Sequence, residues 1–116
     1  MIKEDQLVQM IAEAAQEEQA GDLLILDVNA LTIIADYFVI ASGRSSVQIK
    51  SIADNIEDKL TEAGVSMLRR DGYEEGKWVV LDYGSSIVHI FRQEEREYYN
   101  LENLWGDASH VAIQEQ

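Results

Sequence analysis

Two segments of the chain repeat apolar residues at helical spacing. Over residues 3–20 the apolar side chains recur at i, i+3, i+4, i+7 and i+8, which predicts an amphipathic helix that stops near Gly21. A second helix is predicted to begin with a capping box formed by Ser45 and Gln48 and to close at Gly64. Its buried stripe comprises Ile49, Ile52, Ala53, Ile56 and Leu60.

Shorter apolar runs have the length of β-strands. The predicted strands cover residues 23–28, 37–42, 65–70, 77–83 and 86–91. Between them we expect a loop over 29–36, a turn over 71–76 and a tight hairpin turn at Gly84 and Ser85. A last helix is predicted over 93–105.

The order of these elements predicts the fold class. A helix, two strands, a helix, three strands and a final helix describe an α/β domain with one mixed sheet. Because no linker, repeat or low-complexity segment divides the chain, residues 1–108 are expected to form a single domain. The mostly polar residues 109–116 are expected to fray as a flexible tail.

The predicted hairpin has two different faces, since side chains alternate across a strand. The aliphatic face, suited to packing under helices, consists of Val79, Leu81, Tyr83, Val88 and Ile90. The mixed face consists of Trp78, Val80, Asp82, Ile87, His89 and Phe91. A carboxylate and an imidazole are costly to bury unpaired, so we expect the mixed face to be partly open and to bind a partner. The alternative is that the first helix covers it and that Asp82 and His89 satisfy each other.

More aromatic residues follow the hairpin. Tyr98, Leu101 and Trp105 fall at i, i+3 and i+7 on the predicted last helix, with Leu104 beside them and Tyr99 off the stripe. Such a stripe is usually part of a core. Two tyrosines and a tryptophan also suit an anchor cluster, because binding hot spots are enriched in both residue types.

Charge and composition narrow the functional classes. The 116 residues include 22 acidic and 9 basic side chains, giving a net charge of −13. This acidity argues against direct binding to nucleic acid or to anionic membranes and favours a basic protein partner, although solubility is an equally good explanation. The absence of cysteine excludes disulfides and thiol chemistry. With no signal peptide and no membrane-length apolar run, a cytoplasmic location is expected.

Motifs for catalysis are absent from the sequence. Residues 42–46 join a strand to a helix and could hold a phosphate with Arg44, but they match no nucleotide-binding pattern, and a capped turn is favoured. No Asp-x-Asp pair offers a magnesium site, and His89 and His110 lack the spacing of zinc ligands. We therefore expect no enzyme activity, metal or cofactor.

Three longer motifs carry a family resemblance. Residues 35–60 (ADYFVIASGRSSVQIKSIADNIEDKL), 78–91 (WVVLDYGSSIVHIF) and 96–108 (REYYNLENLWGDA) resemble the Iojap family, the ribosomal silencing factors called RsfS. The resemblance implies a mixed five-stranded sheet, related in shape to nucleotidyltransferases but without their catalytic acids. One departure is Ser85, where the family pattern leads us to expect an acidic residue.

The resemblance also implies a function. A family member would bind the large ribosomal subunit through ribosomal protein fourteen, block joining of the small subunit and silence translation; homodimers are a further family feature. The positions that carry this role over are Trp78, Asp82, Tyr83, His89, Tyr98, Tyr99, Leu101, Leu104 and Trp105. Two alternatives stay open: a factor that assists large-subunit assembly, and an enzyme with a nucleotide site at residues 43–46.

Overall fold

The computed structural model of the protein describes residues 2–114 and contains one six-stranded sheet flanked by helices. The elements are α1 (Glu4–Glu17), β1 (Gly21–Asp27), β2 (Tyr37–Gly43), α2 (Ser46–Glu62), β3 (Arg69–Asp71), β4 (Trp78–Asp82), β5 (Ser86–Arg92), α3 (Gln93–Tyr99), α4 (Leu101–Leu104) and β6 (Ser109–Val111). The strand order is β3-β4-β5-β2-β1-β6. The predicted α/β class with a mixed sheet is confirmed.

The centre of the sheet is the parallel pair β2 and β5. Seven residues of each strand are in register, from Tyr37 opposite Ser86 to Gly43 opposite Arg92. Every other neighbouring pair is antiparallel. Helices lie on both faces of this central pair, so its strands read as continuous apolar runs in the sequence.

α1 and α2 pack together on one face of the sheet, which we call the helix face. The aliphatic side of the hairpin is buried beneath them, as predicted. Asn55 on α2 donates a 2.8 Å hydrogen bond to the Ala14 carbonyl of α1, and Lys59 bridges to Glu17 at 2.5 Å. α3 and α4 lie on the opposite face, where Leu101 and Trp105 pack against side chains of β2 and β5.

The ends of α2 follow the predicted signals. The Ser45 hydroxyl accepts the Gln48 amide at 3.1 Å, but the Gln48 side chain accepts the amide of Arg44 rather than that of Ser45. At the other end Gly64 has a φ of 83°. The amides of Gly64 and Val65 then reach back to the last turn in the two-bond pattern of a Schellman motif.

The hairpin turn also has the predicted register. The Tyr83 amide donates to the Ser86 carbonyl at 2.9 Å, leaving Gly84 and Ser85 as the two turn residues. Gly84 has a φ of 87°, as the first position of a tight hairpin turn requires. The Asp82 carboxylate accepts the Gly84 amide at 2.8 Å and so holds the turn.

Two predictions about helix and strand lengths are wrong. The strand predicted over 65–70 is only the edge strand β3, Arg69–Asp71. The single helix predicted over 93–105 is divided into α3 and α4 by Asn100, whose φ is 45°. An asparagine tolerates this left-handed conformation better than most residues, and it changes the chain direction.

The expectation of a flexible tail over 109–116 is wrong for its first residues, while residues 115–116 lie outside the described part. Ser109–Val111 form β6, an antiparallel edge strand on β1 that raises the expected five strands to six. Gln9 of α1 fastens the following residues by donating to the Ala112 carbonyl and accepting the Gln114 amide, both at 2.9 Å. Val111 and Ile113 pack partly against the core.

No helix among the described residues has the length and apolar character needed to cross a bilayer.

Removal of residues 109–116 is expected to destabilise the domain. The truncation exposes the edge of β1 and removes two half-buried side chains, so the free energy of unfolding should fall by roughly 2 kcal/mol. Urea denaturation measures this change. The control is His110→Ala in the full chain, since His110 is exposed and its substitution should leave stability nearly unchanged. Equal stability of the truncated and full chains would contradict a structural role for β6.

Candidate protein-binding site

Aromatic rings form one connected cluster on the sheet face opposite α1 and α2. The Trp78 ring stacks on Phe91 with centroids 4.9 Å apart and meets Tyr99 at 4.6 Å. Phe38 meets Trp105 edge-on at 5.2 Å and His89 at 5.3 Å. We call this surface the aromatic face; its residues are Phe38, Trp78, His89, Phe91, Tyr99 and Trp105.

Backbone register explains why these rings meet. Trp78 lies opposite Phe91 in the β4–β5 ladder, and His89 lies opposite Ile40 in the parallel β2–β5 ladder. Side chains on one face of neighbouring strands are within contact distance. α3 follows β5 directly and places Tyr99 over the Trp78 ring. Strand pairing and the position of α3 together build the cluster.

A hydrogen bond fixes the charge state of His89. The Trp78 indole nitrogen Nε1 donates to His89 Nδ1 at 3.1 Å, so Nδ1 carries no proton. Burial lowers the pKa of His89 from 6.5 to about 4. His89 is therefore neutral at physiological pH, and the centre of the aromatic face carries no charge.

The mixed face of the hairpin is half-open, as predicted. Phe91 is buried, while Trp78, Val80 and Ile87 retain part of their exposure. The alternative arrangement does not occur: α1 lies on the helix face, Asp82 bonds to Gly84, and His89 bonds to Trp78. A half-exposed apolar surface with aromatic side chains has the composition of an interface core.

The last helical segments carry the remaining candidate residues. Leu101 and Trp105 pack against the sheet, whereas Leu104 is 71% exposed. Tyr98 is 81% exposed and touches only the edge of Tyr99 among the aromatic rings, with centroids 5.0 Å apart. The predicted stripe had placed Tyr98 inward and Tyr99 aside. In the structure the opposite holds, since Tyr99 meets the Trp78 ring and Tyr98 faces solvent.

Tyr83 is separated from the other candidates. Its side chain lies on the helix face, 8% exposed within the core beneath α1 and α2. Burial raises the pKa of Tyr83 to about 12, so the phenol stays neutral. Tyr83 therefore supports the core and does not share a surface with Trp78.

Two residues that contribute to the site were missing from the sequence prediction. Phe38 links His89 to Trp105, and its face could be assigned only once the pairing of β2 with β5 was known. Arg96, only 5% exposed, anchors α3 by donating to the Ser42 hydroxyl at 2.8 Å and to Glu102 at 3.2 Å. An arginine in a charged stretch gives no sequence signal of such burial.

The loop considered for phosphate binding is occupied by its own side chains. The amides of Arg44 and Gln48 already bond to Gln48 and Ser45 respectively. A Cβ on Gly43 would lie 2.8 Å from Ile49 Cγ1, so the glycine is explained by close packing. The capped turn accounts for these features. Among residues 2–114, no group of three or more metal-ligating side chains could hold an ion.

Comparison with known proteins assigns the family. A family model described as ribosomal silencing factor during starvation matches residues 2–116. The chain belongs to the ribosomal silencing factor family, RsfS. The resemblance drawn from its three motifs is confirmed. That family name describes a regulatory factor rather than an enzyme.

Relatives of this RsfS family member extend over nearly the whole chain. The ribosomal silencing factor RsfS of Bacillus subtilis is 41% identical over 88% of this chain and 86% of its own. The RsfS of Halalkalibacterium halodurans is 38% identical over 94% of this chain and 93% of its own. The crystal structure of protein CV0518 from Chromobacterium violaceum, 30% identical, superposes with a TM-score of 0.89 over 99% of this chain and 95% of that one.

The buried His89 is expected to make stability depend on pH. As the pH falls from about 6.5 towards 4, His89 is protonated in the unfolded chain but stays neutral in the folded protein. Protonation therefore stabilises the unfolded chain, and the free energy of unfolding falls. The loss should reach about 3 kcal/mol. The variant His89→Gln lacks this titration but can still accept the Trp78 N–H.

Urea unfolding of both proteins at pH 7 and near pH 4.5 measures the effect. Wild type should lose more stability than His89→Gln on acidification, because the carboxylates titrate alike in both. Parallel losses in the two proteins would show that His89 titrates normally.

Proposed function

We propose that this protein binds the large ribosomal subunit, through ribosomal protein fourteen at the subunit interface, and sterically blocks joining of the small subunit. The observation that carries the proposal is a half-open aromatic face in a member of a family named for ribosomal silencing. Trp78 and Tyr99 are the central contacts of the proposed interface. Tyr98 and Leu104 form its exposed border.

The physical character of the aromatic face supports a protein partner. Its centre is neutral and apolar, so a docking surface gains hydrophobic burial without desolvating a charge. The rings are already held by stacking and by the Trp78–His89 hydrogen bond, so little side-chain freedom is lost on binding. A rigid tryptophan in such a setting is typical of a hot spot.

Charge supports a basic partner. A net charge of −13 produces a negative field around the domain, which attracts a basic protein and repels exposed RNA phosphate. On the ribosome, this field favours docking on protein rather than on bare RNA. The proposed site of action is the cytoplasm, and the proposed action is occupancy without catalysis.

The size of the domain explains how it would block subunit joining. A folded domain of 33 × 32 × 28 Å seated at the subunit interface fills space that the small subunit requires. Joining is then prevented by steric exclusion, with no conformational change in the ribosome required. We further propose that any homodimer using the aromatic face must dissociate before the domain binds the ribosome.

Trp78→Ala is expected to weaken binding to isolated large subunits roughly 30-fold, about 2 kcal/mol, because it removes the centre of the aromatic cluster. Co-sedimentation with purified large or small subunits measures the affinity. Wild type should pellet with large subunits alone and should inhibit subunit joining at matching concentrations.

The matched control is Val47→Ala, which alters an exposed apolar residue at the start of α2. It should bind as wild type does. Unchanged affinity of a folded Trp78→Ala variant would remove the aromatic face from the interface. Tight binding of the wild type without any inhibition of joining would reject the blocking mechanism and favour an assembly role.

Association should slow as salt is added, because the acidic domain is steered towards a basic surface. The association rate constant should fall about tenfold or more between roughly 50 and 300 mM monovalent salt. Stopped-flow mixing at constant magnesium measures this rate, with the dissociation rate changing less. A flat salt series would mean that the net charge serves solubility alone.

A further inference from the structure

A loop outside the aromatic face exposes large apolar side chains. Ile33 is fully exposed and Ile34 is 65% exposed, in the segment between β1 and β2. Leu31 beside them is 44% exposed. We call residues 31–34 the apolar loop. Single exposed apolar residues are ordinary, but adjacent isoleucines at a loop tip form a contact surface that does not serve the core.

Hydrogen bonds within the loop hold these side chains in place. The amides of Leu31 and Thr32 both donate to the Val28 carbonyl, at 2.9 and 3.1 Å. The Thr32 hydroxyl accepts the Ile34 amide at 3.1 Å. Below the tip, the Asn29 side chain bonds to the Asp36 carboxylate across the base of the loop. A loop ordered in this way loses little entropy when it is bound.

The apolar loop adjoins the Phe38 end of the aromatic face. The amides of Asp36 and Tyr37, which follow the loop, donate to the Ser85 carbonyl at 2.8 and 3.0 Å. The loop is thereby fixed beside the hairpin turn of β4 and β5. At its base, Val28 and Ala35 belong to the same apolar cluster as the aromatic face. One partner surface can therefore cover both.

The surroundings of the loop are acidic. Asp36 holds the pKa of Glu4 above its usual value, and burial, together with the charges of Asp27, Asp5 and Asp36, raises the pKa of Tyr37. Neither Asp27 nor Asp36 forms an ion pair with a residue in the range 2–114. If a second copy of the chain docked symmetrically here, the carboxylates of the two copies would face and repel each other. The charge is complementary to a basic surface.

We propose that Ile33 and Ile34 are a second anchor, which inserts into an apolar recess on a basic protein of the large ribosomal subunit. This inference rests on the proposed function and adds a contact outside the aromatic face. The two isoleucines supply apolar burial, and the acids around the base of the loop pair with basic residues at the rim of the recess.

The test is co-sedimentation of Ile33→Ser and of the double variant Ile33→Ser/Ile34→Ser with isolated large subunits. Because both side chains are exposed, the urea midpoints of the two variants should match that of the wild type. The single variant should bind several-fold more weakly and the double variant at least tenfold more weakly. Val47→Ser, which alters a β-branched residue that is 76% exposed at the start of α2, should bind normally.

The outcomes separate this inference from the proposed function. If Trp78→Ala loses binding while both loop variants retain it, the second anchor is rejected and the aromatic face stands. If the wild type fails to pellet with large subunits, both proposals fail. If light scattering shows that the loop variants abolish a dimer while subunit binding is unchanged, the loop serves self-association and the inference is overturned.

Discussion

The parallel pairing of β2 with β5 is the constraint on which the rest of the structure depends. Both strands are covered on both faces, so their backbone groups must pair with each other and their side chains must serve two cores. On the helix face the pair supports α1 and α2. On the other it brings Phe38 and His89 together and carries α3. The same pairing brings residues 29–36 beside the hairpin turn.

The two faces of the sheet have different physical tasks. The helix face is closed by aliphatic packing under α1 and α2, and even the Tyr83 phenol is enclosed there. The aromatic face is closed only in part, because α3 and α4 are short and cover the middle of the sheet. Trp78 on β4 is therefore left between core and solvent. Such a position gives a side chain rigidity from its neighbours and surface for a partner.

On the aromatic face, the centre is neutral and the charged side chains lie around it. The centre of the aromatic face is neutral because His89 accepts a hydrogen bond from Trp78 Nε1–H and is too buried to ionise. Carboxylates are placed around it, at the hairpin turn and at the base of the apolar loop. Long-range attraction to a basic surface and short-range apolar contact are thus carried by different residues. The buried Arg96 has a third role, since it fixes α3 to β2.

Local pattern was enough to predict the helices α1 and α2, the hairpin and its turn residues, because the periods of 3.6 and 2 record which side of an element is buried. The same alternation identified the mixed face that contains Trp78 and His89. Longer motifs were enough to predict the family. The break at Asn100 is a local left-handed turn that the helical period of the flanking residues does not record. Tertiary structure alone decided three further features: Ser109–Val111 joins β1, Phe38 enters the aromatic cluster and Arg96 is buried. Each of these depends on which distant segment lies alongside, and hydrophobic period carries no information about the identity of a partner strand.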